Sequence, residues 1–259
     1  MRYFVVDAFA DRVFQGNPAG VCLVDSPLDD AVMQAIASEN NLSETAFVVV
    51  GDPVSDLRWF TPAVEIDLCG HATLGTAYVL ANFVEPAREM MRFATRSGEL
   101  VVTRDDDRYT LDFPARPAVP IPVTEAMAAA IGVPVLEAHQ SPRDLMLVVG
   151  SETEVRDLAP DIPLVAALAE HAVIVTAPGD QADFVSRFFA PNLGVPEDPV
   201  TGSAHATLIP YWTARTGKTD LVARQLSRRG GTLYCRMAGD RVHISGTAQL
   251  YLRGEITAP

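Results

Sequence analysis

Apolar residues enter the chain in short runs. Arg2–Phe9 and Ala19–Val24, rich in Val and Phe, predict two strands. Asp29–Asn40 changes period, with aspartates at its start and Val32 and Ile36 on one face, and predicts a helix. Glu44–Val50 and Leu57–Phe60 return to strand. Gly70–Phe83 is apolar on every side, so the helix it predicts belongs in the middle of a core. Met91–Ala94, Glu99–Thr103 and Tyr109–Phe113 then predict meander strands.

Pro114–Val123 holds four prolines in ten residues and predicts a stiff, extended linker. After it the order recurs. A helix over Thr124–Ile131 precedes strands near Leu145–Val149, Val173–Thr176 and Phe184–Phe189. A second mostly apolar helix follows, Ser203–Ala214, which Pro210 is expected to bend or to end. Strands at Gly231–Met237, Arg241–Ser245 and Gln249–Leu252 close the chain.

The recurrence extends to residues. RWFTP precedes CGHATLG in the first half, and RFFAP precedes TGSAHATL about 130 residues later. Each copy ends where a central helix begins. Solenoid repeats run about 20–50 residues, so this spacing predicts duplicated domains instead. The expected fold class is α+β, with two lobes, each of short, mostly hairpin-linked strands around one apolar helix. The first lobe is expected over 1–115 and the second over 118–247.

The chain has 259 residues, 48% of them hydrophobic, with net charge −13, which disfavours disorder and nucleic-acid binding. Its three cysteines lie far apart, without disulfide-scaffold or zinc spacing. The start MRYFVVDAFADRVF has no signal-peptide core, and no run of about 18 apolar residues predicts a membrane span. A soluble cytoplasmic protein is expected. The single lysine, Lys218, sits in a loop-like stretch, a poor place for Schiff-base chemistry.

The helix starts carry the candidate chemistry. Helix N-termini offer unpaired N–H groups and partial positive charge, and Gly70 and Gly202 let a ligand approach that backbone, so a carboxylate is the natural ligand. The bland alternative is that both glycines serve packing. Cys69 reads as a small buried residue or a nucleophile, and its counterpart Thr201 is too weak an acid for a two-thiol pair. His71 matches Ser203 across the repeat; the helix end is expected to lower its pKa and keep it neutral. His205 is expected to face elsewhere. Glu44 is either a solvated strand start or a general acid/base raised by apolar surroundings. Asp198 is a turn residue or a group reaching the ligand, with Glu197 as its neighbouring alternative. Asn17 shapes a turn or binds.

GNPAGV (Gly16–Val21), NLSETAFV (Asn41–Val48), RWFTP…CGHATLG (Arg58–Gly75) and DPVTGSAH (Asp198–His205) together resemble the PhzF-like family of phenazine-biosynthesis isomerases, over effectively the whole chain. The family is similar in fold to diaminopimelate epimerase and proline racemase, which implies two pseudo-symmetric lobes, each a curved, mostly antiparallel sheet wrapped around its central helix, with the first lobe completed by about 248–259. The resemblance implies an active site in a cleft between two lobes, no metal or organic cofactor, a small carboxylic acid substrate and commonly a homodimer. It places the proton-shuttling carboxylate at Glu44 and the substrate-orienting aspartate at Asp198, a catalytic partner; taken with the helix starts, His71 is expected as the other catalytic partner and Ser203, Gly70, Gly202 and Asn17 are expected to bind substrate. In phenazine-pathway members that substrate is trans-2,3-dihydro-3-hydroxyanthranilate. An amino-acid or hydroxy-acid racemase on the same fold, and a non-catalytic acid-binding or scaffold protein, are the alternatives.

Overall fold

The computed structural model describes residues 1–257; residues 258 and 259, the end of the segment expected to complete the first lobe, lie outside the described residues. The chain divides into two compact units: Met1–Asp112 with the segment that begins at Ser245, and Phe113–Ile244.

The first unit contains β1 (Arg2–Ala8), β2 (Asn17–Val24), α1 (Asp30–Asn40), β3 (Glu44–Val49), β4 (Val54–Phe60), β5 (Glu65–Ile66), α2 (Gly70–Phe83), β6 (Met90–Thr95) and β7 (Gly98–Asp105). One unit boundary falls within β8 (Arg108–Pro114). The second unit contains β9 (Val119–Ile121), α3 (Glu125–Ile131), β10 (Glu137–Gln140), β11 (Asp144–Val148), α4 (Glu152–Arg156), α5 (Ile162–Leu168), β12 (Ala172–Pro178), β13 (Phe184–Ala190), β14 (Val195–Asp198), α6 (Gly202–Thr216), β15 (Asp220–Gln225) and β16 (Gly231–Ala238). The other boundary falls within β17 (Arg241–Gly246), and β18 (Ala248–Glu255) ends the first unit.

The duplication is visible in the strand pairing. In the first unit the order is β18-β1-β2-β3-β4-β6-β7, with successive senses antiparallel, antiparallel, parallel, antiparallel, parallel, antiparallel. The second unit repeats that sequence of senses in β9-β10-β11-β12-β13-β15-β16. The short β5 and β14 pair antiparallel with β4 and β13 at matching places. The chain end thus supplies to the first unit the strand that β9 supplies to the second.

That match corrects the reading of Pro114–Val123 as a linker. Its prolines do not prevent Val119–Ile121 from pairing with Ala138–Gln140. Proline lacks one donor, which an edge strand can spare.

In the first unit α2 packs on β1, β2, β3, β7 and β18. On the other side of the sheet α1 contributes Met33 and Ala37 to a cluster with Cys22, Val24, Phe47 and Phe60. Strands covered on both faces read as continuous apolar runs rather than alternating ones, as VCLV and AFVV do. In the second unit α3, α4 and α5 bury Leu145, Leu147, Val173, Val175 and Phe189. From α6, Trp212 stacks on Phe184 and its indole N–H donates to the Thr176 hydroxyl at 3.0 Å.

Pro210 does not end α6, which continues to Thr216. A proline at this position leaves the carbonyl four residues earlier, on Ala206, without its helical donor. The backbone N–H of Arg116 donates to that carbonyl at 2.8 Å. A partner from outside the helix is why the helix tolerates the proline.

Candidate active site

In the first unit, local turns deliver three side chains to the start of α2. Gly16 has φ +67°, and a Cβ there would stand 2.1 Å from the Ala8 carbonyl oxygen, so only glycine fits the turn that begins β2 at Asn17. Asn41, in the left-handed region at φ 49°, ends α1 and turns the chain into β3, whose first residue is Glu44. The parallel register then sets Glu44 beside Ala19, at the β2 end where Asn17 lies.

His71, in the first turn of α2, is buried, and these groups surround it. Its Nε2 lies 3.0 Å from Glu44 Oε2, with the two side chains 7% and 15% exposed. Asn17 Nδ2 lies 3.3 Å from His71 Nδ1, and Cys69 Sγ lies 3.5 Å from the same nitrogen. The Glu44–His71 contact is close in distance but poorly aligned: both atoms are buried and neither has a hydrogen-bond partner among the described residues. Buried polar atoms left in that condition are uncommon and point to a ligand or a catalytic role.

The electrostatics differ from the helix-end expectation for His71. Burial opposes its charge, but hydrogen-bond contact with the neutral Cys69 sulfur and the charge of the Glu44 carboxylate outweigh burial and raise its pKa well above the ordinary 6.5. A charged partner at 3.0 Å dominates a helix terminus of about half a charge. Burial pushes the Cys69 thiol up, with Glu44 adding to the shift and His71 opposing it. Cys69 is buried and precedes α2 without capping it through its side chain.

Glu44, Cys69 and His71 each bring one metal-ligand atom within 4.8 Å of the others. The donor set suits a borderline-soft cation such as zinc. Binding would release the His71 and Cys69 protons.

The second unit builds its helix start differently. The Thr201 hydroxyl donates to Asp198 Oδ2 at 2.5 Å. Gln225, fully buried, accepts from the Thr201 backbone N–H at 2.9 Å and donates to the Asp198 carbonyl at 2.8 Å. Gly202 is buried and Ser203 half-buried in the first turn of α6. His205 lies one turn on, with Nδ1 2.9 Å from the Thr201 carbonyl, and burial drops its pKa to about 4, so it is a neutral structural group. Thr73 makes the matching bond to the Cys69 carbonyl in α2.

The arginine of each repeat is a clamp. Arg58 grips Glu65 with Nε and Nη2 at 2.7 Å each and lies over the Phe60 ring at 5.2 Å. Arg187 grips Glu197 at 2.6 and 2.9 Å and lies over Phe189 at 5.1 Å. Both bidentate pairs tie a short strand to its neighbour. Glu197 is thereby engaged, and Asp198 is the carboxylate next to the helix start.

Sequence reasoning missed Gln225 and the two clamps, and it placed Asn17 in a turn or on the substrate without pairing it with His71. The only sequence signal for the clamps was an aromatic–arginine motif followed by a glutamate in both halves. Among the described residues, no helix is long and apolar enough to cross a membrane.

The family described as phenazine biosynthesis-like protein (PhzC-PhzF) matches residues 6–254. A Pseudomonas aeruginosa protein named as an uncharacterized isomerase is 53% identical over 256 residues, covering 99% of this chain and 98% of that one. The crystal structure of a PhzF-family protein from Enterococcus faecalis superposes with TM-score 0.97 at 50% identity, covering 99% of both chains. A hydroxyproline epimerase from Agrobacterium vitis shares the fold at 11% identity, with TM-score 0.60 over 98% of this chain and 91% of its own.

Proposed function

The chain belongs to the phenazine biosynthesis-like (PhzC-PhzF) family, and from that membership we propose that it is a cofactor-independent isomerase that moves a proton within a small, cyclic carboxylic acid. The observation that carries the reading is the buried pair of Glu44 and His71, 3.0 Å apart, neither atom hydrogen-bonded. Glu44 takes a proton from a carbon made acidic by conjugation. The C–H electron pair moves into the conjugated system, and the same carboxyl returns the proton to another carbon. No atom is gained or lost overall, and one base suffices for both steps, its proton exchanging with solvent between them. The positive charge of His71 offsets the charge that develops on the substrate. Asp198 and Ser203 orient the substrate, and the N–H groups of Gly70 and Gly202 bind its carboxylate. Asn17 holds the His71 ring. The trans-2,3-dihydro-3-hydroxyanthranilate type is the substrate class the family suggests, and a homodimer belongs to the same proposal.

The racemase alternative needs two thiols, and two features weigh against it. Thr201 stands where the second thiol would be and gives its hydroxyl proton to Asp198. Cys69 is held as a thiol by burial.

The experiment is incubation with cyclic enol or amino carboxylic acids in heavy water, followed by NMR and polarimetry. The isomerase reading expects a shifted double bond with deuterium at the carbon that receives the proton. Exchange confined to the α-carbon, with loss of optical activity, would establish the racemase. Absence of both exchange and binding across the acids would leave a scaffold and overturn the proposal.

A further inference from the structure

The repeat leaves one place unfilled. In the second unit the chain between β11 and β12 forms α4 and α5, and α4 packs on β12 and β13. Val155 of α4 is fully buried, and Arg187 Nη1 donates to the Leu158 carbonyl just beyond that helix at 2.8 Å. In the first unit the matching stretch, between β2 and β3, forms α1 alone, and residues 25–29 before it are not helical. Arg58 Nη1 donates instead to Asp30 Oδ1 at 2.8 Å. Beside α1, where a counterpart of α4 would stand on β3 and β4, lies a cavity of about 360 Å³. Phe47, Val49 and Met33 give it apolar walls.

Two charged residues line the same cavity, Asp56 and Arg96. The repeat shows that neither is there by inheritance. Aligning Arg58 with Arg187 through their motifs matches β3 and β4 with β12 and β13, since Phe47 pairs with Arg58 as Val175 pairs with Arg187. Asp56 then corresponds to Val185. Asp56 has Ala94 as its parallel neighbour and Val185 has Arg224, so Arg96 corresponds to Leu226. Val185 is fully buried, and Leu226 packs against the same core cluster. An acid and a base thus stand where the other unit has two apolar residues beneath its helices.

Both charges are available to a ligand. Arg96 reaches only Glu65 Oε2, at 2.7 Å, an oxygen it shares with Arg58. Asp56 is exposed and has no hydrogen-bond or ion-pair partner among the described residues. Register puts Arg96 two residues past Ala94, so the two α-carbons are on the order of 8 Å apart. An α-amino acid presents the complementary parts on one carbon: a carboxylate for the guanidinium, an ammonium group for the aspartate and a side chain for the apolar walls. The volume is near the lower end of the roughly 300–1,000 Å³ that ligand pockets span, which suits a single amino acid.

We propose that this cavity is a second small-molecule site, which binds a free α-amino acid with an apolar side chain. Arg96 takes the carboxylate, Asp56 the ammonium group, and Phe47 and Val49 the side chain. The site lies within the first unit, on the sheet face that α1 covers, and stands whether or not the isomerase reading does. Calorimetric titration of the full chain with leucine, methionine and phenylalanine should give saturable binding of at least one. Glycine, which keeps both charges and lacks the side chain, should bind about tenfold more weakly or worse. Isoamylamine and 4-methylpentanoate each keep leucine's side chain and one of its charges, and each should lose about tenfold or more. Asp56→Asn and Arg96→Gln, both at exposed positions, should weaken binding by a similar factor. Arg236→Gln, on an exposed arginine paired with Asp220, should leave it unchanged. Ala94 is exposed and lines the cavity, so Ala94→Phe should fill the space and abolish binding; Ala94→Leu replaces it if that variant does not fold. Absence of saturable binding of all three amino acids overturns the proposal. So does isoamylamine or 4-methylpentanoate binding as tightly as leucine, or binding unchanged in Asp56→Asn and Arg96→Gln. Binding that survives the filled cavity belongs elsewhere on the chain and overturns it equally.

Discussion

Gln225→Leu removes the side chain that holds the start of α6 while nearly conserving its volume. Gln225 is fully buried and makes three contacts: to the Thr201 N–H at 2.9 Å, the Asp198 carbonyl at 2.8 Å and the Thr201 hydroxyl at 3.2 Å. Leucine leaves the buried Thr201 N–H without this acceptor and takes a donor from the partly buried Asp198 carbonyl. Each such loss costs about 1–3 kcal/mol, and the partial exposure of the carbonyl places the total near 2–4 kcal/mol. For a chain of this size about 2–4 °C of Tm accompanies each kcal/mol, so scanning calorimetry should find a drop of about 5–15 °C. Gln225→Glu refines the test. One carboxylate oxygen still accepts from Thr201, but the other faces the Asp198 carbonyl and cannot donate until protonated. The Gln225→Glu variant should therefore regain stability as pH falls and lose it as pH rises. Because Asp198 is proposed to orient substrate, KM should rise in both variants. A Gln225→Leu protein within about 0.5 kcal/mol of the parent would refute the reasoning, since it would mean these bonds fix neither the loop nor Asp198.

Three further outcomes follow from the same geometry. The pKa of His71 is raised above its ordinary 6.5, so its pairing with Glu44 stabilises the fold fully below about 6.5 and is lost as pH rises through the folded value; the Tm difference between parent and His71→Gln should shrink over that alkaline range, and a difference that grows instead would reverse the sign assigned here. Cys69→Ser should lower activity less than about tenfold in kcat/KM, because burial keeps the thiol from acting as a base; abolished proton exchange would return the two-base racemase to consideration. Gly16→Ala must place a Cβ 2.1 Å from the Ala8 oxygen at φ +67°, which should cost about 2–4 kcal/mol and disturb Asn17 at His71; urea unfolding checks the first and activity the second.

What could be read from residues alone divides along a physical line. Helix α2 was legible because it is apolar all round, and the duplication because RWFTP and RFFAP precede two glycine helix starts. Val119–Ile121 was not, because proline content predicts an extended segment without saying whether a neighbour pairs with it. Helices α4 and α5, of five and seven residues, are too short to show a period. Glu44, His71 and Asp198 stood out through motifs. Their surroundings did not, because Asn17 lies 54 residues from His71 and Gln225 lies 24 from Thr201. The direction of the His71 pKa shift was lost for the same reason: a helix terminus is visible in sequence, whereas a carboxylate folded to within 3.0 Å is not.

The most direct measurement of the central claim is proton exchange by Glu44→Gln. Glutamine keeps the shape and polarity of Glu44 beside His71 but can neither accept nor return a proton. On an acid that the parent protein turns over, deuterium uptake from heavy water should fall by about 10²–10⁴-fold while calorimetry still finds the acid bound. An exchange rate equal to the parent's would take Glu44 out of the chemistry, and the proposed isomerase mechanism with it.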